Sequence, residues 1–374
     1  MSARRVLLGL VPVLLALSAG ASARDATLFV YNAVSGDASL VTQPGTPRAQ
    51  VQALPGLSLG RWNVRIGVID GQLLTLDTEG KRIHAIRLDR LRDARPALRS
   101  TPLHAGLVPY RAVIRSDRVY VDYFAANRLE AYRWRADGLA YLGEHVLPHP
   151  RPLGLSELLI RGDQLLVAAS GISCLARLCP KETQADPHVF GFALDRDPLG
   201  SLGIDLRPAN GNAAGLYMHP GSQATFVLNA GDYRGGYSSI QRVLTDKLGS
   251  EVRLARSAGA ARAFPLDART CLILQFSGEH GFVFDTQDER VLSILRFDGK
   301  RFAAVSEPLS ERFKSDLQDL IPDPAASDRF FIVDSKREQL LHVAWKPPAS
   351  LEVLGSKSLR TAAFRSSPSW AVWL

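Results

Sequence analysis

A short, mainly apolar run typical of a β-strand recurs six times along the chain at near-regular intervals. The runs cover residues 73–77, 119–123, 165–169, 225–229, 271–275 and 330–334, and their centres lie 46, 46, 60, 46 and 59 residues apart. A period of this size is typical of repeat folds in which each unit is one supersecondary structure. The spacing therefore predicts an all-β ring of repeated sheets, with insertions in two of the units.

The clearest unit, residues 112–147, reads as four short strands separated by turn signals, which is the content of one propeller blade. The same order can be read in five further units, residues 63–103, 156–206, 215–254, 261–305 and 320–354. Two strands remain at each end, residues 27–34 with 39–42 and residues 359–365 with 370–374. Pairing of these N- and C-terminal strands would complete a seventh blade and remove exposed sheet edges. We therefore predict a seven-bladed β-propeller, with an eight-bladed ring or a pair of β-sandwiches as the alternatives.

Helical periodicity is confined to residues 310–320, where Ser310 is placed to cap one short helix between two units. Without repeated helices, a doubly wound or barrel α/β fold is excluded.

The first residues have the layout of a cleavable secretory signal. Arg4 and Arg5 precede an apolar run over residues 6–17 and a small-residue stretch that ends at Ala23. The apolar run is shorter than a membrane-spanning helix requires. We therefore expect a signal peptide over residues 1–23, a single domain over residues 24–374 without a membrane span, and a periplasmic or secreted location.

The formal net charge of +8 is spread along the chain, which is typical of a solvated surface with weak attraction to anionic partners. Nucleic acid is an improbable partner, because the sequence has neither a recognition helix nor a basic stripe.

The chain has three cysteines, too few for a disulfide-built scaffold. Cys174 and Cys179 are five positions apart, which fits neither a zinc nor a haem motif. In an oxidising compartment this pair predicts a local disulfide. Cys271 lies in an apolar run and is expected to be a free, buried thiol.

Residues 218–231, which contain Met-His-Pro-Gly-Ser followed by Thr-Phe-Val-Leu-Asn-Ala-Gly, resemble the His-Pro-x-Gly turn and Tyr-Val-x-Asn strand of the YVTN and lactonase-like propellers. The matched residues form a strand and a turn, so the resemblance supports the fold and transfers no catalytic residue. Some members of that group hydrolyse lactones and others only bind, which leaves the function open.

The sequence has no nucleophile elbow, zincin motif, Walker loop or dinucleotide fingerprint. In a propeller, the loops between second and third strands and between successive blades meet at one mouth of the central channel. The longest predicted loops, residues 170–188, 229–239 and 276–290, are of this kind, and long loops on a rigid scaffold usually carry binding residues.

We therefore place the candidate residues at that mouth. Glu279 and His280 are the catalytic candidates, since a carboxylate beside an imidazole can act as acid and base or hold a metal. Solvated or structural roles are the simpler interpretation of both. The binding candidates are Asp122, Arg128, Asp232, Tyr233, Arg234, Asp334 and Arg337.

Two functions follow from these observations. The first is a binding module that recognises a protein, peptide or glycan through its long-loop face. The second is a lactonase-like hydrolase or isomerase with a polar site at the channel mouth. No cofactor is evident, and the second function leaves room for a divalent cation. The sequence does not fix the ligand or the oligomeric state.

Overall fold

In a computed structural model, seven four-stranded antiparallel sheets form a β-propeller. The structure describes residues 26–374 except 55, 94–96, 173–184, 210, 221, 232–236, 255–258, 268, 278–288, 298–301, 305–312, 314 and 362–366. Within the described residues, helical structure amounts to one 3-10 turn, Leu88–Arg90, and a single residue at position 313. No helix among them is long and apolar enough to cross a membrane.

The first three blades in chain order each consist of four consecutive strands. Blade 1 contains β4 (Asn63–Ile69), β5 (Gln72–Asp77), β6 (Arg82–Arg87) and β7 (Leu98–Pro102). Blade 2 contains β8 (Ala112–Arg115), β9 (Arg118–Tyr123), β10 (Arg128–Arg135) and β11 (Gly138–Val146). Blade 3 contains β12 (Leu155–Arg161), β13 (Gln164–Ala169), β14 (His188–Ala193) and β15 (Leu202–Leu206).

The next three blades repeat this arrangement. Blade 4 contains β16 (Ala213–Met218), β17 (Thr225–Asn229), β18 (Ser239–Val243) and β19 (Leu248–Arg253). Blade 5 contains β20 (Gly259–Pro265), β21 (Thr270–Ser277), β22 (Glu289–Phe297) and β23 (Phe302–Ala304). Blade 6 contains β24 (Leu317–Pro322), β25 (Arg329–Asp334), β26 (Gln339–Lys346) and β27 (Ser350–Ser358).

Blade 7 closes the ring by joining the two ends of the chain. It contains β28 (Pro368–Trp373), followed in the sheet by β1 (Thr27–Asn32), β2 (Asp37–Thr42) and β3 (Gln50–Leu54). The antiparallel pairing of Leu28 with Trp373 confirms the predicted closure. The expectation of two strands from each end was wrong, because three strands come from the start of the chain and one from its end.

First strands of consecutive blades contact each other at five of the seven blade interfaces, which places these strands around the central channel. Seven clusters of buried apolar residues fill the spaces between consecutive blades, one at each interface. Consecutive residues of a second strand point to opposite faces of the sheet and therefore belong to different clusters. On β5, Leu73 packs against blade 7 and Leu74 packs against blade 2. Because both faces of these strands are buried, they appear in the sequence as continuous apolar runs.

The predicted helix over residues 310–320 was wrong in its C-terminal part. Leu317–Pro322 is the strand β24, and its alternating burial places Leu317 and Ile321 in the core. Residues 310–312 lie outside the described part of the chain. The helical interpretation failed because a short strand with every second residue buried also offers apolar residues at a spacing of four.

Candidate functional site in the channel

The innermost strands carry charged side chains into the channel near the mouth where the long loops meet. Arg65, Glu157, Arg262 and Asp319 lie on the first strands of blades 1, 3, 5 and 6, and Arg111 immediately precedes the first strand of blade 2. We call these five residues the channel cluster. They contribute three guanidinium groups and two carboxylates.

β-Bulges help to place these side chains. In six of the seven blades, the pairing of the first strand with the second shifts by one residue near this mouth. In blades 3, 5 and 6, the residue directly after the shift is Glu157, Arg262 and Asp319 respectively. A bulge bends the strand and redirects the following side chain, which is why bulges often lie beside functional sites.

Asp319 joins blades 1, 5, 6 and 7 at the channel wall. Its carboxylate lies 3.5 Å from a guanidinium nitrogen of Arg65 and 3.5 Å from one of Arg262, and it accepts a hydrogen bond from the backbone nitrogen of Ala371 at 3.1 Å. Arg65 also donates to the carbonyl oxygen of Ala371. The two arginines therefore share one nearly buried carboxylate.

Glu157 and Arg111 form the other ion pair of the cluster, with 3.7 Å between Oε2 and Nε. The guanidinium of Arg111 also lies over the Tyr110 ring, 4.4 Å from its centroid. Between 22 and 44% of each of the Arg65, Arg111, Glu157 and Arg262 side chains is exposed. Water and small solutes can therefore reach the charged groups.

The charges of the cluster act on one another. Burial lowers the pKa of Arg262, and the neighbouring positive charges of Arg111 and Arg65 lower it further, against the opposing effect of Asp319 and Glu157. Three cations with only two anions favour an additional negative charge at this place. A bound anion would relieve the repulsion among the guanidinium groups.

Asp122, a binding candidate from the sequence, lies behind Arg111. Its Oδ1 accepts a hydrogen bond from the Arg111 backbone nitrogen at 2.6 Å, and its own backbone nitrogen donates to the Arg111 carbonyl at 3.0 Å. The side chain is fully buried, and burial raises the pKa of Asp122 well above its usual range. Asp122 therefore fixes the backbone that presents Arg111.

The other described binding candidates have partners within their own blades. Asp334 is fully buried and accepts hydrogen bonds from Ser315 Oγ at 2.6 Å, Gln339 Nε2 at 3.1 Å and the Arg337 backbone nitrogen at 3.1 Å. The Arg337 side chain lies 3.4 Å from the same carboxylate, and Arg128 pairs with Glu144 at 3.0 Å. The structure does not bring these residues into the channel cluster.

Several sequence candidates lie outside the described residues, namely Glu279, His280, Asp232, Tyr233 and Arg234, together with the predicted Cys174–Cys179 disulfide. Cys271 is a free, buried cysteine as predicted. Among the residues that the structure describes, no group of three or more His, Cys, Asp or Glu side chains could hold a metal ion.

The loops at the two ends of the channel differ in charge. We call the end reached by the long loops the site face. In the described residues of its loops, eight basic residues accompany four acidic ones, namely Arg61, Lys81, Arg111, Arg151, Arg207, Lys336, Arg337 and Arg360 against Glu79, Asp186, Asp316 and Glu338. The described loops of the opposite face have six basic residues, Arg48, Arg90, Arg92, Arg196, Lys247 and Arg269, against twelve acidic ones, Asp70, Asp89, Asp93, Asp117, Asp137, Asp163, Asp195, Asp197, Asp246, Asp267, Asp323 and Asp328. The field of the molecule therefore favours the approach of anions to the site face.

Two surface cavities lie away from the channel cluster. A cavity of about 630 Å³ lies at the opposite face between blades 1 and 2, where Trp134 Nε1 donates to Asp70 Oδ2 at 3.1 Å. It contains no member of the channel cluster. The charge arrangement, and not the size of a cavity, identifies the channel as the candidate site.

Sequence reasoning missed all five residues of the channel cluster. Each is a single charged residue in or beside a first strand, and the five come from five blades, so they form no local motif. The available signal was a charged residue near the start of the first strand in each of several aligned units. A charged side chain in a half-buried strand costs free energy of desolvation unless it has partners, which here lie across the channel.

No family model matches the sequence, and no curated protein matches it. Solved structures with the same fold include a periplasmic gluconolactonase of Pseudomonas aeruginosa, with a TM-score of 0.65, 14% identity, and coverage of 93% of this chain and 99% of that one. A putative 6-phosphogluconolactonase of Bacteroides uniformis gives a TM-score of 0.65 at 9% identity, covering 94% of this chain and 100% of that one. A protein from Lactobacillus plantarum gives 0.63 at 14% identity, with coverage of 94% and 99%. At these identities the likeness establishes the fold alone, a seven-bladed β-propeller.

Proposed function

We propose that this protein binds a small anionic molecule in the channel cluster and hydrolyses a cyclic ester within it. The observation that carries the proposal is the excess of one guanidinium over the carboxylates in a water-accessible channel. Guanidinium groups bind carboxylates and phosphates with directional hydrogen bonds, and they stabilise the negative charge that develops on an ester oxygen during attack by water.

Glu157 is the residue we assign to proton transfer. Its carboxylate is only partly exposed, and at 3.7 Å its contact with Arg111 is longer than a close hydrogen-bonded pair, so it retains capacity to accept a proton from water. Arg262 and Arg65 would hold the anionic group of the substrate, while Asp319 keeps those two side chains in place. The solved gluconolactonase and the putative 6-phosphogluconolactonase named above have the same fold, which makes lactones the first substrates to test.

The test is a titration of acid release from a panel of five- and six-membered sugar-acid lactones at constant pH. We expect Arg262→Gln to raise KM at least tenfold and Glu157→Gln to lower kcat by two orders of magnitude, the usual size of a general-base effect. Arg99→Gln, on the outer strand of blade 1, is the matched control and should leave both constants unchanged. Full activity of the Glu157→Gln enzyme would eliminate the assigned role.

A binding module without catalysis is the second candidate, and the ion pairing of every charge in the cluster favours it. It predicts that the open hydroxy acid binds, that Arg262→Gln abolishes binding, and that no lactone in the panel is hydrolysed. Calorimetric titration with the hydroxy acid measures binding, and the lactone assay on the same protein shows whether hydrolysis accompanies it.

We further propose that the protein acts in the periplasm or outside the cell after loss of residues 1–23. The purified protein should then have the intact mass of a chain that begins at Arg24. Peptide mapping without reduction should find Cys174 linked to Cys179 and one alkylatable thiol at Cys271. Two or more accessible thiols in the oxidised protein would contradict the disulfide.

A further inference from the structure

Four large apolar side chains project from neighbouring loops on one side of the site face. They are Val34, Trp62, Leu107 and Val108, with 61, 49, 37 and 57% of their surface exposed. Val34 lies in the turn between β1 and β2, Trp62 ends the connection from blade 7 to blade 1, and Leu107 and Val108 lie in the connection from blade 1 to blade 2. We call these four residues the apolar rim.

Hydrogen bonds join the loops of the rim into one surface. The backbone nitrogen of Leu59 donates to the Gly36 carbonyl at 2.7 Å, which connects the first two loops. Thr78 Oγ1 donates to the Trp62 carbonyl at 2.7 Å. Lys81, in the same turn as Thr78, donates through Nζ to the Gly106 carbonyl at 2.5 Å. The rim is therefore continuous across blades 7, 1 and 2.

The backbone on either side of Trp62 is held in place by the Tyr31 side chain. The Tyr31 hydroxyl donates to the Gly60 carbonyl at 2.8 Å and accepts from the Asn63 backbone nitrogen at 3.0 Å. Trp62 has a φ of 55°, which is unfavourable for a bulky residue and persists only where the surroundings enforce it. The loop thus keeps a large indole at the surface at a conformational cost, which points to a role for that side chain.

We propose that the apolar rim docks this protein onto an anionic lipid bilayer. Aliphatic side chains at loop tips gain free energy by leaving water for the acyl boundary, and tryptophan is favoured at the level of the headgroups. Arg61 and Lys81 lie in the rim loops and supply cations for anionic headgroups, within a face whose described loops carry eight basic residues against four acidic ones. The cations favour an anionic bilayer over a neutral one. The apolar side chains favour a bilayer over a polar glycan, because Val34, Leu107 and Val108 would add little to the binding of a glycan.

Docking through the rim would use the loops of blades 7, 1 and 2 alone. The proposal is independent of catalysis, so loss of vesicle binding and loss of hydrolysis would be separate results.

The test is co-sedimentation of the mature chain with vesicles of phosphatidylcholine alone or mixed equally with phosphatidylglycerol. We expect binding to the mixed vesicles, accompanied by a blue shift of tryptophan emission. Lys81→Gln should lower the partition coefficient about fivefold, the value of one cation near a charged surface. Trp62→Ser should remove the blue shift and lower partitioning at least as much. Leu354→Ser, which replaces an exposed side chain on the outer strand β27, is the matched control and should bind like the parent.

The melting temperature of each variant confirms that it is folded before sedimentation. Equal binding of the parent and Trp62→Ser chains would overturn the proposal, and so would failure of the parent to bind the mixed vesicles. If Trp62→Ser instead lost binding to a soluble acidic polysaccharide while vesicle binding persisted, the rim would be a glycan site and the bilayer would be eliminated.

Discussion

At the scale of single residues, an Asn or Asp occupies the last or next-to-last position of the second strand in five of the seven blades. These residues are Asn32, Asp77, Asp122, Asn229 and Asp334, and all five are buried. Their side chains bind the following turn or the neighbouring strands, as Asp77 does when Oδ1 accepts from the Gly80 backbone nitrogen at 2.8 Å. The same polar residue that resembles a ligand in the sequence therefore secures the corner of a blade.

Asp334 allows a direct measurement of this structural contribution. Asp334→Ala leaves a buried donor on Ser315 and a part-buried donor on Gln339 without their acceptor, so we expect the free energy of unfolding to fall by about 2 to 3 kcal/mol. Arg337→Ala removes only a partly exposed charge pair and should cost less than about 1 kcal/mol. Urea unfolding of both variants gives the comparison. Equal losses would show that the buried carboxylate is not what stabilises this corner.

His219 links stability to pH. Burial lowers the pKa of this imidazole, although Asp267 partly opposes the shift. The unfolded chain takes up a proton near pH 6.5 while the folded chain resists it, so stability falls as the pH drops below about 6.5. We expect the free energy of unfolding to decrease between pH 7 and pH 5, by up to about 1.4 kcal/mol per pH unit for one proton.

His219→Gln should flatten this dependence, and His104→Gln, at an exposed position, is the control. Urea titrations at the two pH values measure the slope. If the His219→Gln chain kept the slope of the parent, the buried imidazole would not be its source.

At the scale of strands, Trp370 on β28 connects the closing strand to two other elements. Its ring stacks on Phe29 and Tyr31 at centroid distances of 5.7 and 5.3 Å, and Nε1 donates to the Asn63 carbonyl of blade 1 at 3.0 Å. Trp370→Ala should therefore cost about 3 to 5 kcal/mol, as expected for a large buried aromatic side chain. Thermal unfolding of this variant beside Trp62→Ala tests the prediction, because Trp62 is exposed and its truncation should be nearly neutral. A small effect at Trp370 would mean that closure depends little on this contact.

The strands that could be predicted were those buried on both faces. The predicted long loops 170–188 and 229–239 begin and end within a residue of the observed strands β13, β14, β17 and β18. The strand β3 was missed because it is an outer strand with alternating exposed and partly buried residues, which leaves no apolar run in the sequence. The channel cluster was missed for a different reason, since its members meet only after the ring has closed.

At the scale of the whole molecule, the described loops at one end of the channel are mainly basic and those at the other end mainly acidic. We expect the site face to mediate binding to a sulfonated cation-exchange matrix. Replacing Arg61 and Lys336 together by Glu should lower the salt concentration of elution more than replacing Arg48 and Lys247 on the opposite face, although both double variants change the net charge equally. Elution of the two variants at the same salt concentration would refute a directional field.

The position of β28 also sets the order of events during synthesis. The strands β1 to β3 are made first, yet the strand that completes their sheet is made more than 300 residues later. A nascent chain therefore carries an unfinished sheet until its last strand emerges, and contacts across so large a sequence separation form slowly. Completion of the ring is consequently a late step, taken after the other six blades are available, so a chain cut short before Pro368 cannot close the ring as the full chain does.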